Sequence, residues 1–562
     1  MASIIKKKVN NNLYYYAVTS ERVDGKPRIT SQVYLGKVED IVEKVTKPPK
    51  PEAVESREFG SIAALMEIAE ELNFVELVDN IVPKRNQGAS VGQYLLIAAL
   101  NRCSAPTSKA QMAKWYRGTI LQRLMDVDPK VLTSQRFWDN MDVISEEELS
   151  QLKLAFSQRL VEVYQPRLDV LLYDATNFFT YINTTTPSKL PQRGHNKQKR
   201  NDLRQIGLAL LMAREGLPLA YEAYQGNHKD TTEFDAFITS FIDSYMSAIK
   251  GCEEITLVFD KGNNSKDNME KIDGSPFHFI GSLVPSYNED LLAVPLTEYK
   301  KCSEERLQGE SYYCTKKKAF GEERTIVCVF NPELYAGQIR GINSNIKKTK
   351  KELRKLKKNL DERRTKKKPG RQPTLKSVTK RVKKILYREY MSRIFTYTVE
   401  DKGKWIKLDY DLDDNAFQNL KDTRLGKTIL FTDRDDMTGS EVILTYRDQW
   451  RLENAFRQMK DPSWVSFKPL NHWTDQKIKV HAFYCFAALT FSSLLVRKVK
   501  NLGLNLSIPR MLENLKSMRE THIYYPKKRG KKERPKVTML EEMTEEQEEL
   551  FSALNLNKYS IR

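Results

Sequence analysis

The sequence predicts an α/β protein whose central sheet is interrupted by a long insertion, and three observations carry that prediction. An apolar run ending in an acid, LDVLLYD (168–174), leads into two more strand patterns, an amphipathic helix and a second apolar run ending in an acid, EITLVFDKG (254–262). A strand-rich stretch with a basic segment inside it comes next. Beyond it, ILTYRDQWRLENAFRQMK (443–460) has helical spacing and sets a glutamate between a tyrosine and two cations.

At 562 residues the chain is too long for one core, so two to four domains are expected. Forty per cent hydrophobic and 10% aromatic residues argue for packed cores and against global disorder. A net charge of +20 and a pI near 9.3 point to a polyanionic partner, nucleic acid before anionic membrane. The most apolar stretch, residues 482–496, includes two serines and falls short of the roughly 20 residues a spanning helix needs, so it reads as a buried helix. The N-terminal MASIIKKKVNNNLYYY has no apolar signal-peptide core. Six scattered cysteines (Cys103, Cys252, Cys302, Cys314, Cys328, Cys485) form no CxxC pair, and the six histidines do not complete a zinc site. They read as reduced thiols of a cytosolic protein.

In chain order, residues 12–37 alternate as a β-hairpin around Asp24-Gly25, a favoured tight-turn pair, and KPPKP (47–51) is a linker. Residues 58–165 have apolar spacings of three and four and read as helices. Within them SKAQMAKW (108–115) belongs either to a helix-turn-helix reader or to an ordinary bundle. After the strand 168–174, RQIGLALLMARE and LPLAYEAYQG form two strands around Glu215-Gly216, and residues 231–250 form a helix. The order β-β-β-α-β fits a ribonuclease H-like core. In such a core the first and fourth strands lie side by side, so Asp174 and Asp260 converge. FHFIGSLVP (277–285) is the candidate fifth strand, followed by ERTIVCVF (323–330), RIFTYTVE (393–400), WIKLDYDL (405–412) and KTILFTD (427–433). Between these, residues 347–388 hold twenty Lys/Arg against three acids. Spaced leucines in KELRKLKKNL predict a helical hairpin arm, broken near Lys368-Pro369-Gly370, that contacts the DNA backbone; a solvated loop is the alternative.

Residues 443–460 contain no Gly or Pro and read as one long helix. At about 100° per residue, Tyr446, Glu453, Arg457 and Lys460 lie within about 40° of one line, with Leu452, Ala455 and Met459 opposite and Trp450 and Phe456 flanking. Three carboxylates from two strands and a helix suit a pair of Mg²⁺ ions, which prefer oxygen ligands. Two such ions about 4 Å apart drive in-line phosphoryl displacement. Asp174, Asp260 and Glu453 are therefore the candidate catalytic and metal-binding residues, with Mn²⁺ the expected substitute for Mg²⁺. The neighbouring cations would neutralise DNA phosphates.

With these residues in view, the chain resembles bacterial insertion-sequence transposases of the DDE class, in the insertion-sequence-four branch and especially its sixteen-thirty-four relatives. That branch carries a Tyr, Arg, Glu, Lys signature, and Tyr446, Glu453 and Lys460 match it in register. The arginine position holds Gln449, a departure, with Arg447 and Arg451 as the nearest substitutes. GHNKQKRNDLRQIG (194–207), GLPLAYEAYQGN (216–227), VFDKGNNS (258–265), the N-terminal hairpin and LEEMTEEQEELFSALNL (540–556) are also similar. The resemblance implies cut-and-paste transposition, in which a homodimer pairs two transposon ends, exposes 3′-OH groups and joins them to double-stranded target DNA. It also implies a β-rich insertion between the second Asp and the Glu. Relatives can pass through a DNA hairpin with an aromatic residue stacking on a flipped base; Trp405 is the candidate by location, a core tryptophan being the alternative.

The expected DNA contacts are Tyr446, Arg447, Arg457 and Lys460, together with Lys197 and Arg200 in the basic loop that also holds His195, Lys199 and Arg204. Asp202 reads as a structural partner in that loop. Asn227 and His228 serve either a metal-bound water or a turn, His481 reads as a core histidine, and Trp464 and Trp473 pack the C-terminal region. KKRGKKERPK (527–536) is either a second DNA contact or a loop. The expected fold is thus α/β: a ribonuclease H-like catalytic core (166–285 and 441–500) interrupted by a β-rich insertion (286–440) with a basic helical arm (347–388). A β-hairpin (1–50) and a helical DNA-binding domain (58–165) precede it, and a helical and basic region (501–562) follows. The expected setting is the cytoplasm of a bacterial or archaeal cell, nucleoid-associated, with no membrane partner. Two alternatives stay open: a domesticated DNA-binding derivative that no longer cuts, and a ribonuclease H-like DNA nuclease.

Overall fold

The computed structural model describes residues 2–10, 12–23, 26–47, 50–83, 88–183, 186–196, 198–228, 230–245, 254–365, 372–504, 506–527 and 533–561. The Asp24-Gly25 turn, Lys197, the Lys368-Pro369-Gly370 break and residues 528–532 of the second basic tract lie outside them. The chain divides into two compact units, one of residues 1–67, 109–133 and 495–562, the other of residues 68–108 and 134–494. The stretch 58–165, read from sequence as one helical domain, contributes to both.

The larger unit is built on a nine-stranded sheet. Its strands are β1 (Val170–Thr180), β2 (Arg204–Ala213), β3 (Pro218–Gln225), β4 (Ile255–Val258), β5 (Phe277–Ser282), β6 (Lys300–Lys301), β7 (Ser311–Ala319), β8 (Glu322–Phe330) and β9 (Lys427–Thr432). They lie in the order β6-β7-β8-β9-β5-β4-β1-β2-β3. β1, β2 and β3 are antiparallel neighbours, whereas β1, β4 and β5 run parallel. The first and fourth strands are therefore adjacent, in the side-by-side arrangement expected from their order. β2 is buried along nearly its whole length, which explains its unbroken apolar run IGLALLMA.

Alternation along β1 assigns its faces. Tyr173 packs edge-on to Phe234 of α1 (Asp230–Tyr245), ring centroids 4.8 Å apart. Its neighbours Asp174, Thr176 and Phe178 point to the opposite face. There Phe178 stacks on Phe467 at 4.3 Å.

LDVLLYD does not end its strand. β1 runs on for six residues past Asp174 because β2 keeps pairing with it, as far as Thr180 opposite Arg204. Only the β4 side stops early, where Val258 pairs with Leu172. Asp174 thus sits where β1 loses one neighbour and keeps the other.

The insertion differs from a separate β-rich body. Four of its strands, β6 to β9, extend the core sheet, while Phe395–Asp401 and Ile406–Leu412 pair as an isolated ribbon. Against the ribbon pack α2 (Pro332–Thr365) and α3 (Leu375–Ile385), through Leu353, Leu356, Leu360, Val378, Val382, Ile394, Ile406 and Leu408. The basic arm is helical and has its own small core, so the leucine spacing marked an apolar seam.

The segment read as one long helix is two, α4 (Gly439–Arg447) and α5 (Trp450–Lys460). Asp448 and Gln449 make a tightened turn, their N–H groups bonding the carbonyls of Thr445 and Tyr446 at 3.2 Å each. No Gly or Pro marks this break. Its cause is tertiary: Asp448 is buried and takes Nε of Arg214 at 2.7 Å.

α6 (Asp475–Asn501) is 27 residues long, longer than the 482–496 stretch implied. It meets the length and composition needed to cross a membrane, yet 89% of its apolar window is buried inside the protein. Phe483 and Phe486 lie against Phe156, while His481 Nε2 donates to Phe467 O at 2.7 Å and its Nδ1 bonds the Tyr484 hydroxyl. It is a satisfied core histidine.

The smaller unit holds two three-stranded antiparallel sheets. In one, Asn12–Val23 is central and pairs with both Lys26–Gly36 and Ala2–Val9, so the N-terminal hairpin has a third strand. In the other, Arg519–Tyr524 pairs with Lys536–Leu540 and with Ala53–Glu58. The segment 108–115 folds as a 3₁₀ turn, Lys109–Gln111, and the start of a six-residue helix, Met112–Arg117, whose Met112 and Tyr116 are buried.

Candidate active site

Asp174 and Asp260 lie at adjacent strands, each two residues beyond the paired Leu172 and Val258. Asp260 follows β4 and caps a 3₁₀ turn, Lys261–Asn263. Its Oδ1 accepts from the Lys261 N–H at 2.8 Å, the Ser282 hydroxyl at 3.0 Å and the Tyr446 phenol at 3.3 Å. Asp174 Oδ1 accepts from the Ala175 N–H at 2.8 Å. Burial raises the pKa of Tyr446 furthest, and the negative charges of Asp260 and Asp174 raise it further. The phenol therefore stays protonated and can donate.

The helix carrying the third acid is held over this face at both ends. Lys460, at the end of α5, donates to the Thr176 hydroxyl, two residues along β1 from Asp174. The same ammonium lies 5.6 Å from the centre of the Phe178 ring. At the other end is Gln449. With its amide oriented to satisfy both polar atoms, its side-chain oxygen accepts from the Phe259 and Asp260 N–H groups, both at 3.2 Å. Glu453 lies between these anchors on the exposed side of α5, while Leu452, Ala455, Phe456 and Met459 are buried.

The donors that this face offers a metal are carboxylate and hydroxyl oxygens, the set a hard divalent cation takes. Among the described residues no three His, Cys, Asp or Glu side chains stand together as a ready-made metal cage. Asp174 and Asp260 are brought together; Glu453 is carried on the helix anchored above them.

The other sequence-derived candidates are placed as follows. Arg447 makes a two-pronged ion pair with buried Glu310, one bond at 2.6 Å, so its guanidinium already has a carboxylate partner. Arg457 is exposed and bonds Asn454 at 2.6 Å. Arg200 is exposed and paired with Asp202 at 2.8 and 2.7 Å, which lowers the Asp202 pKa to about 2. Trp405 is half-buried where the insertion ribbon turns, with the Arg364 guanidinium 4.8 Å from its ring centre. His228 bonds Glu233 at 2.6 Å. Trp473 is 54% exposed and pairs with Trp138 rather than packing in a core.

Ser282 and Thr176 were not singled out from sequence, since neither lies in a motif. The stretches 194–207 and 216–227 have a packing role. Gln205 Nε2 donates to Gly226 O at 2.7 Å and to His195 O at 3.1 Å. A Cβ at Gly194 would come within 2.1 Å of Gly226 O, so these glycines let the loop after β1 close on the end of β3.

Among solved structures, the chain is similar to a piggyBac transposase synaptic complex with hairpin DNA, at 9% identity and a TM-score of 0.37, covering 83% of this chain and 82% of that one. No curated protein matches the sequence. The family described as the transposase DDE domain matches residues 165–491, a span that begins just before β1 and takes in both aspartates, the insertion and the Glu453 helix. The chain belongs to the DDE transposase domain family.

Proposed function

We propose that this transposase cleaves DNA strands at the ends of an insertion sequence and joins them to target DNA, using divalent metal held by Asp174, Asp260 and Glu453. The observation that carries the reading is that Asp174 and Asp260 each follow by two residues the paired Leu172 and Val258 of adjacent strands, with Asp260 bonded to Tyr446 and the Glu453 helix anchored by Gln449 and Lys460. Bound there, a pair of Mg²⁺ or Mn²⁺ ions would activate the attacking oxygen and stabilise the leaving one. The protein's own part is positional. Ser282, Tyr446 and the Lys261 N–H orient the Asp260 carboxylate, and the exposed Lys460 and Arg457 would bind strand phosphates.

The match of Tyr446, Glu453 and Lys460 to the insertion-sequence-four signature supports placing the chain in that branch, and with it a homodimer pairing two ends of double-stranded DNA. Under this reading it works on the nucleoid in the cytoplasm of a bacterial or archaeal host. A DNA-binding role for the helices within 58–165 belongs to the same proposal.

The test is cleavage of labelled DNA carrying the element's own ends, with Mg²⁺ and with EDTA, by wild type and Glu453→Ala. Specific nicking by wild type in Mg²⁺ alone is expected. Tight binding without cutting by either protein would replace the enzyme with a DNA-binding derivative. Cutting that never yields joined products would leave a nuclease.

A further inference from the structure

We propose that Gln449 is a positioning residue: its side-chain oxygen grips the backbone N–H of Asp260 and sets the distance from that acid to Glu453. The proposal rests on reading the three acids as a metal site. A resemblance by position assigns this place an arginine, whose guanidinium has donors only. Gln449 instead uses an acceptor, and its partners are the N–H groups of Phe259 and Asp260.

The Phe259 N–H also bonds Ile280 O at 3.2 Å, within the parallel pairing of β4 and β5, so it has a second partner. Asp260 has already left the strand, and Gln449 supplies the acceptor for its N–H. Tyr446, one turn earlier, holds the same residue by its carboxylate. Two side chains three residues apart, on one face of the tightened turn, therefore clamp one aspartate at its main chain and at its side chain. The Glu453 N–H bonds the Gln449 carbonyl at 3.3 Å, so the clamp continues directly into the residue that carries the third carboxylate.

The break between α4 and α5 serves this arrangement. Buried Asp448 faces Arg214 at 2.7 Å, Arg451 at 3.7 Å and Arg306 at 4.0 Å, which anchors the turn. Gln449 is itself helical and the Glu453 N–H bonds its carbonyl, so these two residues keep the helical rotation of about 400°, and the tightened turn lies between them and Tyr446.

Three measurements on the full-length chain test this. Hydrogen–deuterium exchange of the metal-free protein reads the Asp260 amide; Mn²⁺ titration followed by electron paramagnetic resonance reads metal affinity; binding to end DNA in EDTA reads phosphate contacts. Gln449→Met keeps the volume and removes the acceptor, and should speed Asp260 exchange and weaken Mn²⁺ binding by about tenfold while leaving DNA affinity within about twofold. Gln449→Glu keeps an acceptor and should restore the protection of the Asp260 amide. Unchanged Asp260 exchange in Gln449→Met overturns the clamp. Weakened DNA affinity with unchanged Mn²⁺ affinity overturns it too, in favour of a phosphate contact. If wild-type Mn²⁺ binding survives Asp174→Ala and Asp260→Ala, the metal reading itself fails, and the amide measurement still decides whether Gln449 holds Asp260.

Discussion

The phenol of Tyr446 donates to Oδ1 of Asp260 at 3.3 Å, so the helix before the third acid is bonded to the second. Hydrogen bonds to a charged group contribute about 1.5–3 kcal/mol. Tyr446→Phe should therefore lower the cleavage rate by roughly 10- to 100-fold while leaving end binding near wild type. Single-turnover cleavage beside a binding titration checks this, and a rate within about twofold would remove Tyr446 from the site.

Lys460 is expected to contact phosphate, yet its ammonium also bonds Thr176. Thr176→Val separates the two roles, because valine keeps the shape and cannot accept the bond. The expected outcome is a several-fold slower cleavage, on the order of one hydrogen bond, with unchanged salt dependence of DNA binding. A changed salt slope would mean that Thr176 sets how Lys460 meets phosphate rather than how α5 sits on β1.

Asp448 is 1% exposed and faces three arginines. Removing one partner of a buried pair leaves uncompensated charge, at about 3–5 kcal/mol. Asp448→Ala should destabilise the larger unit toward the lower end of that range, since Arg214 is 30% exposed and partly solvated. Urea unfolding measures it; a change under about 1 kcal/mol would show that the turn between α4 and α5 does not depend on this pair.

The arm allows a cleaner experiment than its deletion. Removing 347–388 would strip Leu353, Leu356 and Val382 from the ribbon they cover. Replacing the exposed Lys347, Lys351, Arg354 and Lys355 with alanine leaves that core intact. For every phosphate these side chains neutralise in the wild type, the log–log salt slope of DNA binding should flatten by about 0.9. An unchanged slope would assign the charge to a role other than the DNA backbone.

Leu353→Ala is the complementary change. Leu353 is fully buried in the arm's own core, and truncation there costs about 2–5 kcal/mol. Limited proteolysis should then cut within α2 and α3 well before the core sheet. Simultaneous loss of both would mean that the arm unfolds only with the rest.

The sequence alone determined the succession of core strands along the chain, because apolar runs of strand length are set by local residues, whereas their order in the sheet was decided by the fold. It also determined which side of α5 is buried, because Leu452, Ala455 and Met459 recur at helical spacing. Its own residues could not reveal the break at Asp448 and Gln449. Neither residue is a helix breaker, and the partner that draws Asp448 inward, Arg214, is more than 200 positions away. The extension of β1 past Asp174 was likewise hidden, since it depends on how far β2 continues beside it. Gln449 and Arg447 read as a missing and a substitute phosphate contact until tertiary structure supplied their partners, the Asp260 main chain and Glu310. Local periodicity is set by neighbours in sequence and can be read there. The pairing of a polar side chain is set by whichever group the fold brings within about 3 Å, and only the folded chain decides that.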